Sequence, residues 1–80
     1  MTGATVSQAY LIGISEGRAE MRQFQRNGIP IDLETIARVL ENCAQCLAMR
    51  PGDELRESFK GQRDFWRHQL AKLTTGGRAK

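Results

Sequence analysis

The sequence is poor in several residue types, and each shortage removes a class of protein. Only two cysteines occur, Cys43 and Cys46. They cannot build the framework of about four to eight cysteines that staples a small secreted domain, and their scarcity agrees with a reducing compartment. Aromatics are also few, with one Trp, one Tyr and three Phe. Tyr10, Phe24, Phe59 and Trp66 fall on apolar stripes, so only Phe65 is expected at the surface for stacking on a base. No apolar run approaches the ~18 residues of a membrane span, so no membrane partner is expected. Alternating runs of β-branched residues are missing, which excludes strands as a main element. The start, Met1-Thr2-Gly3-Ala4-Thr5, carries no basic stretch followed by an apolar block, so a cytoplasmic location is expected.

The shortage extends to chemistry. His68 is the only histidine. Asp64, four residues earlier, is placed to orient it, but no serine or cysteine is placed to complete a nucleophilic triad. A tetrahedral zinc site needs four ligands, and only His68 can join Cys43 and Cys46 by type. Redox C-x-x-C pairs sit at helix N-termini, where the dipole lowers a thiol pKa, whereas this pair lies late in its helix. Both cysteines therefore read as small core residues, and no metal, cofactor or catalytic function is expected.

What is present is an ordinary helical pattern. Eighty residues make one domain with one modest core. At this size burial nearly cancels the ordering cost, so a homodimer is one route to added stability. The chain is also expected to have little volume for a ligand pocket of ~300 Å³. A first helix can open with Thr5 as N-cap and Gln8 three residues on, and close at Asn27-Gly28. Its inner face is Val6, Tyr10, Gly13, Ile14, Gly17, Met21 and Phe24. Pro30 breaks the chain and Asp32 caps a second helix, with Leu33, Ile36, Ala37, Leu40, Cys43, Ala44 and Leu47 inward. It stops near Met49, ahead of Arg50-Pro51-Gly52. Asp53 is the third N-cap, before a stripe of Leu55, Phe59, Gln62, Trp66, Leu70 and Leu73, with Gly61 a point at which this helix can divide. The expected fold is all-α, a small antiparallel bundle of three helices, or four if Gly61 splits the last. Residues 1–73 form the bundle and 74–80 a flexible basic tail.

The net charge is +3, and removing Arg78 and Lys80 of the tail leaves +1, so basic function must come from arrangement. Arg18, Arg22 and Arg26 form one ridge on the first helix. Arg56, Lys60, Arg63 and Arg67 form another on the third. Packed side by side, the ridges would merge into one arginine-dominated patch suited to carboxylates or phosphates. Against this, Glu57 stands three before Lys60 and Asp64 three before Arg67, as on a plain solvated face. Gly13 and Gly17 form a G-x-x-x-G that allows either a close crossing across a dimer axis or room for Trp66 or Phe59. The Pro51-Gly52 turn does not make a helix-turn-helix reader, since Asp53-Glu54 would meet phosphate with the wrong sign.

Ala9-Tyr10-Leu11 with Glu16-Gly17-Arg18, and Asp64-Phe65-Trp66-Arg67, resemble the small accessory proteins of bacteriophages and prophages, among them short helical anti-CRISPR inhibitors. The resemblance implies a protein that docks on a host protein or ribonucleoprotein complex and blocks it, often where nucleic acid would bind. No site residues transfer from it. The arginine ridges are the candidate contacts, with direct binding of nucleic acid by the same ridges as the alternative.

Overall fold

The computed structural model describes residues 7–76. Three helices account for nearly all of them: α1 (Gln8–Arg26), α2 (Leu33–Ala48) and α3 (Asp53–Gly76). The all-helical expectation holds, and no strand occurs among the described residues.

Local chemistry sets each boundary. Ser7 caps α1, its hydroxyl accepting from the Tyr10 amide at 3.1 Å. The sequence reading placed this cap at Thr5, which lies outside the described residues; Ser7 has the same side-chain oxygen one step from the helix. At the other end Asn27 is the C-cap and Gly28 adopts φ 75°. The Gly28 and Ile29 amides donate to the carbonyls of Gln25 and Phe24, the paired bonds of a Schellman stop. Asp32 caps α2 as expected, accepting from the Thr35 amide at 2.9 Å, and that bond holds its carboxyl below the ordinary range. The α2 stop is less regular: Arg50 takes the left-handed position at φ 58°. Its amide donates to the Leu47 carbonyl, but the residue after it is Pro51, which has no N–H for a second bond.

Asp53 is not the cap of α3. It is already helical, and the first turn is closed on the Gly52 carbonyl by the Arg56 amide at 2.8 Å. Nor does Gly61 divide α3. It sits buried within one continuous helix, and a Cβ there would collide with the Tyr10 carbonyl oxygen of α1. The absent side chain is what lets the two backbones touch. Gly13 does the same from α1, where a Cβ would strike the Ser58 carbonyl. Thr74, Thr75 and Gly76, expected in the tail, extend α3, with the Thr74 hydroxyl donating back to the Leu70 and Ala71 carbonyls.

Away from their crossing, contacts along α1 and α3 rise together, from Ile12 beside Leu55 at one end to Gln25 and Lys72 lining one groove at the other. These two helices therefore run in the same direction. α3 packs against both α1 and α2, while α1 and α2 form no close backbone pair among the described residues. The core lies where the three meet. Trp66 and Ile36 are fully buried, with Phe65 and Cys43 nearly so. Phe24 of α1 places its ring 5.9 Å from that of Trp66, and Phe65 stands edge-on to Trp66 at 5.5 Å.

Phe65, expected at the surface, is thus a core residue. The α3 stripe drawn through Leu55 and Leu73 is rotated: both are exposed, and Gly61 and Phe65 face α1 instead. The cause is that α3 is central and needs two inner faces, which a single stripe cannot describe. On α2, Ile36 and Cys43 are buried as expected, whereas Leu33, Ala37 and Ala44 are exposed. No helix is long and apolar enough to cross a membrane among the described residues.

Candidate functional site

The glycine crossing fixes where α1 and α3 touch, and an open groove of ≈ 600 Å³ runs beside it. Its floor is apolar, made of Ile14 and Met21 from α1 and Phe65 from α3. Its rim carries the cations Arg18 and Arg22 on one wall and Lys72 on the other, with His68 beside Lys72. Gln25 and Gln69 add neutral donors and acceptors, and Tyr10 with Asp64 completes the lining. The little volume expected of so short a chain concerns an enclosed pocket, which this site is not. The groove is open rather than enclosed, so it needs no interior volume.

Tyr10 and Asp64 are joined. The Tyr10 hydroxyl donates to Asp64 Oδ2 at 2.5 Å, and the Arg63 guanidinium donates to Oδ1 at 3.1 Å. Partial burial pushes the Asp64 carboxyl up, but these donors outweigh it and hold it below the ordinary range. The same bond, with burial, pushes the Tyr10 hydroxyl above its ordinary value. Asp64 therefore spends its hydrogen bonds on Tyr10 and Arg63, and orients neither His68 nor, by ion pairing, Arg67.

The two arginine ridges differ in how they are partnered. On α3, Arg56 pairs with Asp53, Lys60 with Glu57 at 3.3 Å, and Arg63 with Asp64. Most of that ridge is neutralised by its own helix, much as a solvated face would be. Arg67 is exposed and forms no ion pair among the described residues. On α1, Arg18, Arg22 and Arg26 are all exposed, and none has an ion-pair partner among the described residues. Glu16, which stands near Arg18 in sequence, instead accepts from Ser58 Oγ and Gln62 Nε2, both at 3.0 Å, and so ties α1 to α3. Thus Arg18 and Arg22 share their groove with His68 and Lys72. Sequence reasoning missed these last two as site residues, because their signal appears only once Gly13 and Gly61 set the helix register.

The remaining candidates resolve simply. Gly13 and Gly17 pack within the chain, Gly13 on the Ser58 backbone and Gly17 on the Phe65 ring, where a Cβ would lie 2.9 Å from Cδ2. The ring is Phe65 rather than Trp66 or Phe59. Cys43 is buried and Cys46 half-buried, both are free thiols, and burial pushes the Cys43 thiol up, away from reactivity. Among the described residues no three His, Cys, Asp or Glu side chains cluster in a way that could hold a metal. A second, smaller hollow of ≈ 200 Å³ is lined by Ala9, Ile12, Glu54, Leu55 and Ser58. No protein-family model, curated protein or solved structure matches the chain.

Proposed function

We propose that this chain is a non-catalytic binding module that docks on an acidic surface of a host protein or ribonucleoprotein complex and inhibits or modulates it. The carrying observation is that Arg18 and Arg22 stand exposed and without ion pairs among the described residues, opposite Lys72 and His68. An arginine held by its own helix gains little from a new partner, since the old pair must break first. An unpaired one gives up hydration and side-chain freedom but has no internal pair to break. The phage-type, anti-CRISPR-like setting rests on the sequence resemblance, and with it the cytoplasm of a host cell as the place of action. The antiparallel course expected of α2 against its neighbours would leave the α1–α3 groove uncovered for a partner.

The test is affinity capture from bacterial lysate, with and without nuclease, using the wild-type chain, Arg18→Glu/Arg22→Glu and Arg56→Glu/Lys60→Glu. Protein capture that survives nuclease is expected, falling by about tenfold or more for the α1 pair. The α3 pair should change it by about twofold or less. Capture that vanishes with nuclease would transfer the site to nucleic acid. Capture indifferent to the α1 arginines would remove it from this face.

A further inference from the structure

Resting on the reading that the α1 arginine face docks on a protein, we infer that the groove between α1 and α3 receives an acidic amphipathic helix of the partner. Such a helix would lay apolar side chains on Ile14 and Met21 and set carboxylates one turn apart against Arg18 and Arg22.

Three features of the groove point to this occupant. First, it is long. Its α1 wall runs from Tyr10 to Gln25, and at 1.5 Å per residue that is about 22 Å, or roughly four helical turns. A compact metabolite would leave most of it empty. Secondly, its polarity is layered, with an apolar floor between the exposed Arg18 and Arg22 on one wall and Lys72 on the other. This is the complement of a helix carrying one apolar stripe flanked by acids. Arg18 and Arg22 are four residues apart on one helix, so they match carboxylates that are also four apart on another. Lys72 is available to a third acid from the opposite wall. Thirdly, the groove is ill-suited to a nucleic-acid strand. The Phe65 ring is only 9% exposed, wedged between Gly17 and Trp66, and offers no free face for a base. A partner helix seated here would pack beside α1 and α3 and bring the bundle to four helices.

A displayed library of random peptides of about 15 residues, long enough to fill the groove, should be selected against the full chain. The expected survivors carry Asp or Glu at i and i+4 beside an apolar stripe. A synthetic survivor, read by fluorescence anisotropy, should bind Arg18→Glu/Arg22→Glu and Arg18→Gln/Arg22→Gln about tenfold more weakly or worse. A Lys-for-Glu version of the peptide should regain affinity for the Glu variant alone. Met21→Gln should weaken binding while far-UV circular dichroism stays helical. Survivors without acidic pairs, no survivors, binding indifferent to the arginines, or a 15-nucleotide dT strand binding as tightly would each overturn the inference. If lysate capture still depends on Arg18 and Arg22 in those cases, the docking reading stands and only the helical occupant falls. If capture ignores the arginines, the docking reading falls with it.

Discussion

The Tyr10 hydroxyl donates to the Asp64 carboxylate at 2.5 Å, tying α1 to α3 through the one hydrogen-bonded side-chain pair that lines the groove. Its effect on stability is bounded on both sides of pH. The Asp64 carboxyl is held below its ordinary 3.8, so its contribution is present above about pH 4 and lost as pH falls through the folded value. The Tyr10 hydroxyl is raised above its ordinary 10.0 by the same bond, so its contribution is complete below about pH 10 and lost as pH rises through the folded value. Tyr10→Phe should cost about 1 kcal/mol at pH 7, where a hydrogen bond to a partly solvated charge is lost. That cost should shrink towards zero at both extremes. Urea unfolding of both proteins at pH 3, 7 and 11 checks it, and a pH-independent difference would show that the bond is not the cause.

The glycine crossing makes a sharper prediction. Gly13→Ala and Gly61→Ala each drive a methyl group into a backbone carbonyl that no rotamer change can move aside. Each should cost about 2–4 kcal/mol, a large share of a small domain's stability. Gly17→Ala meets only the edge of the Phe65 ring, which can shift, and should cost about 1 kcal/mol. Gly28→Ala has empty space around it but φ 75°, so its cost of about 1 kcal/mol is conformational. Thermal unfolding should place Gly13→Ala and Gly61→Ala clearly below Gly17→Ala and Gly28→Ala. Stabilisation by alanine at Gly13, Gly17 and Gly61 would mean that helix propensity, which favours alanine, outweighs the crossing.

Arg50 offers a gain instead of a loss. It occupies the left-handed region at φ 58° without being glycine, ahead of a proline that removes the second stop bond. Arg50→Gly should stabilise the chain by about 0.5–1 kcal/mol, and Arg50→Val, β-branched, should destabilise it by about 1 kcal/mol or more. Chemical denaturation of the pair decides it. A destabilised Arg50→Gly would mean that the arginine side chain contributes more than the backbone costs.

The elements themselves were legible because their signals are local. Asn27-Gly28, Asp32 and Arg50-Pro51-Gly52 each act within four residues, and the structure uses all of them. The inner face was most legible on α1, where Tyr10, Gly13, Ile14, Gly17, Met21 and Phe24 all turn inward, and less so on α2, where Leu33, Ala37 and Ala44 are exposed. On α3 the periodic stripe named Trp66 but not Phe65, because a helix with two neighbours spreads its apolar residues around more of its circumference. Gly61 looked like a breaker because its effect was judged within its own helix. Its role lies across the interface, at Tyr10. For the same reason the ridges were read as candidates for one patch, whereas the helix register places Arg18 and Arg22 beside His68 and Lys72.

Trp66 is the single tryptophan, fully buried where the three helices meet, and its Nε1–H has no hydrogen-bond partner among the described residues. The chain therefore carries a built-in optical probe. An indole in so dry a setting emits well to the blue of one in water, and its signal responds when either α1 or α2 comes away from α3. Phe65, edge-on to the indole and lining the groove, places one ring between the probe and any occupant. The same indole thus stands one ring away from whatever enters the groove, and no attached dye is needed to follow folding.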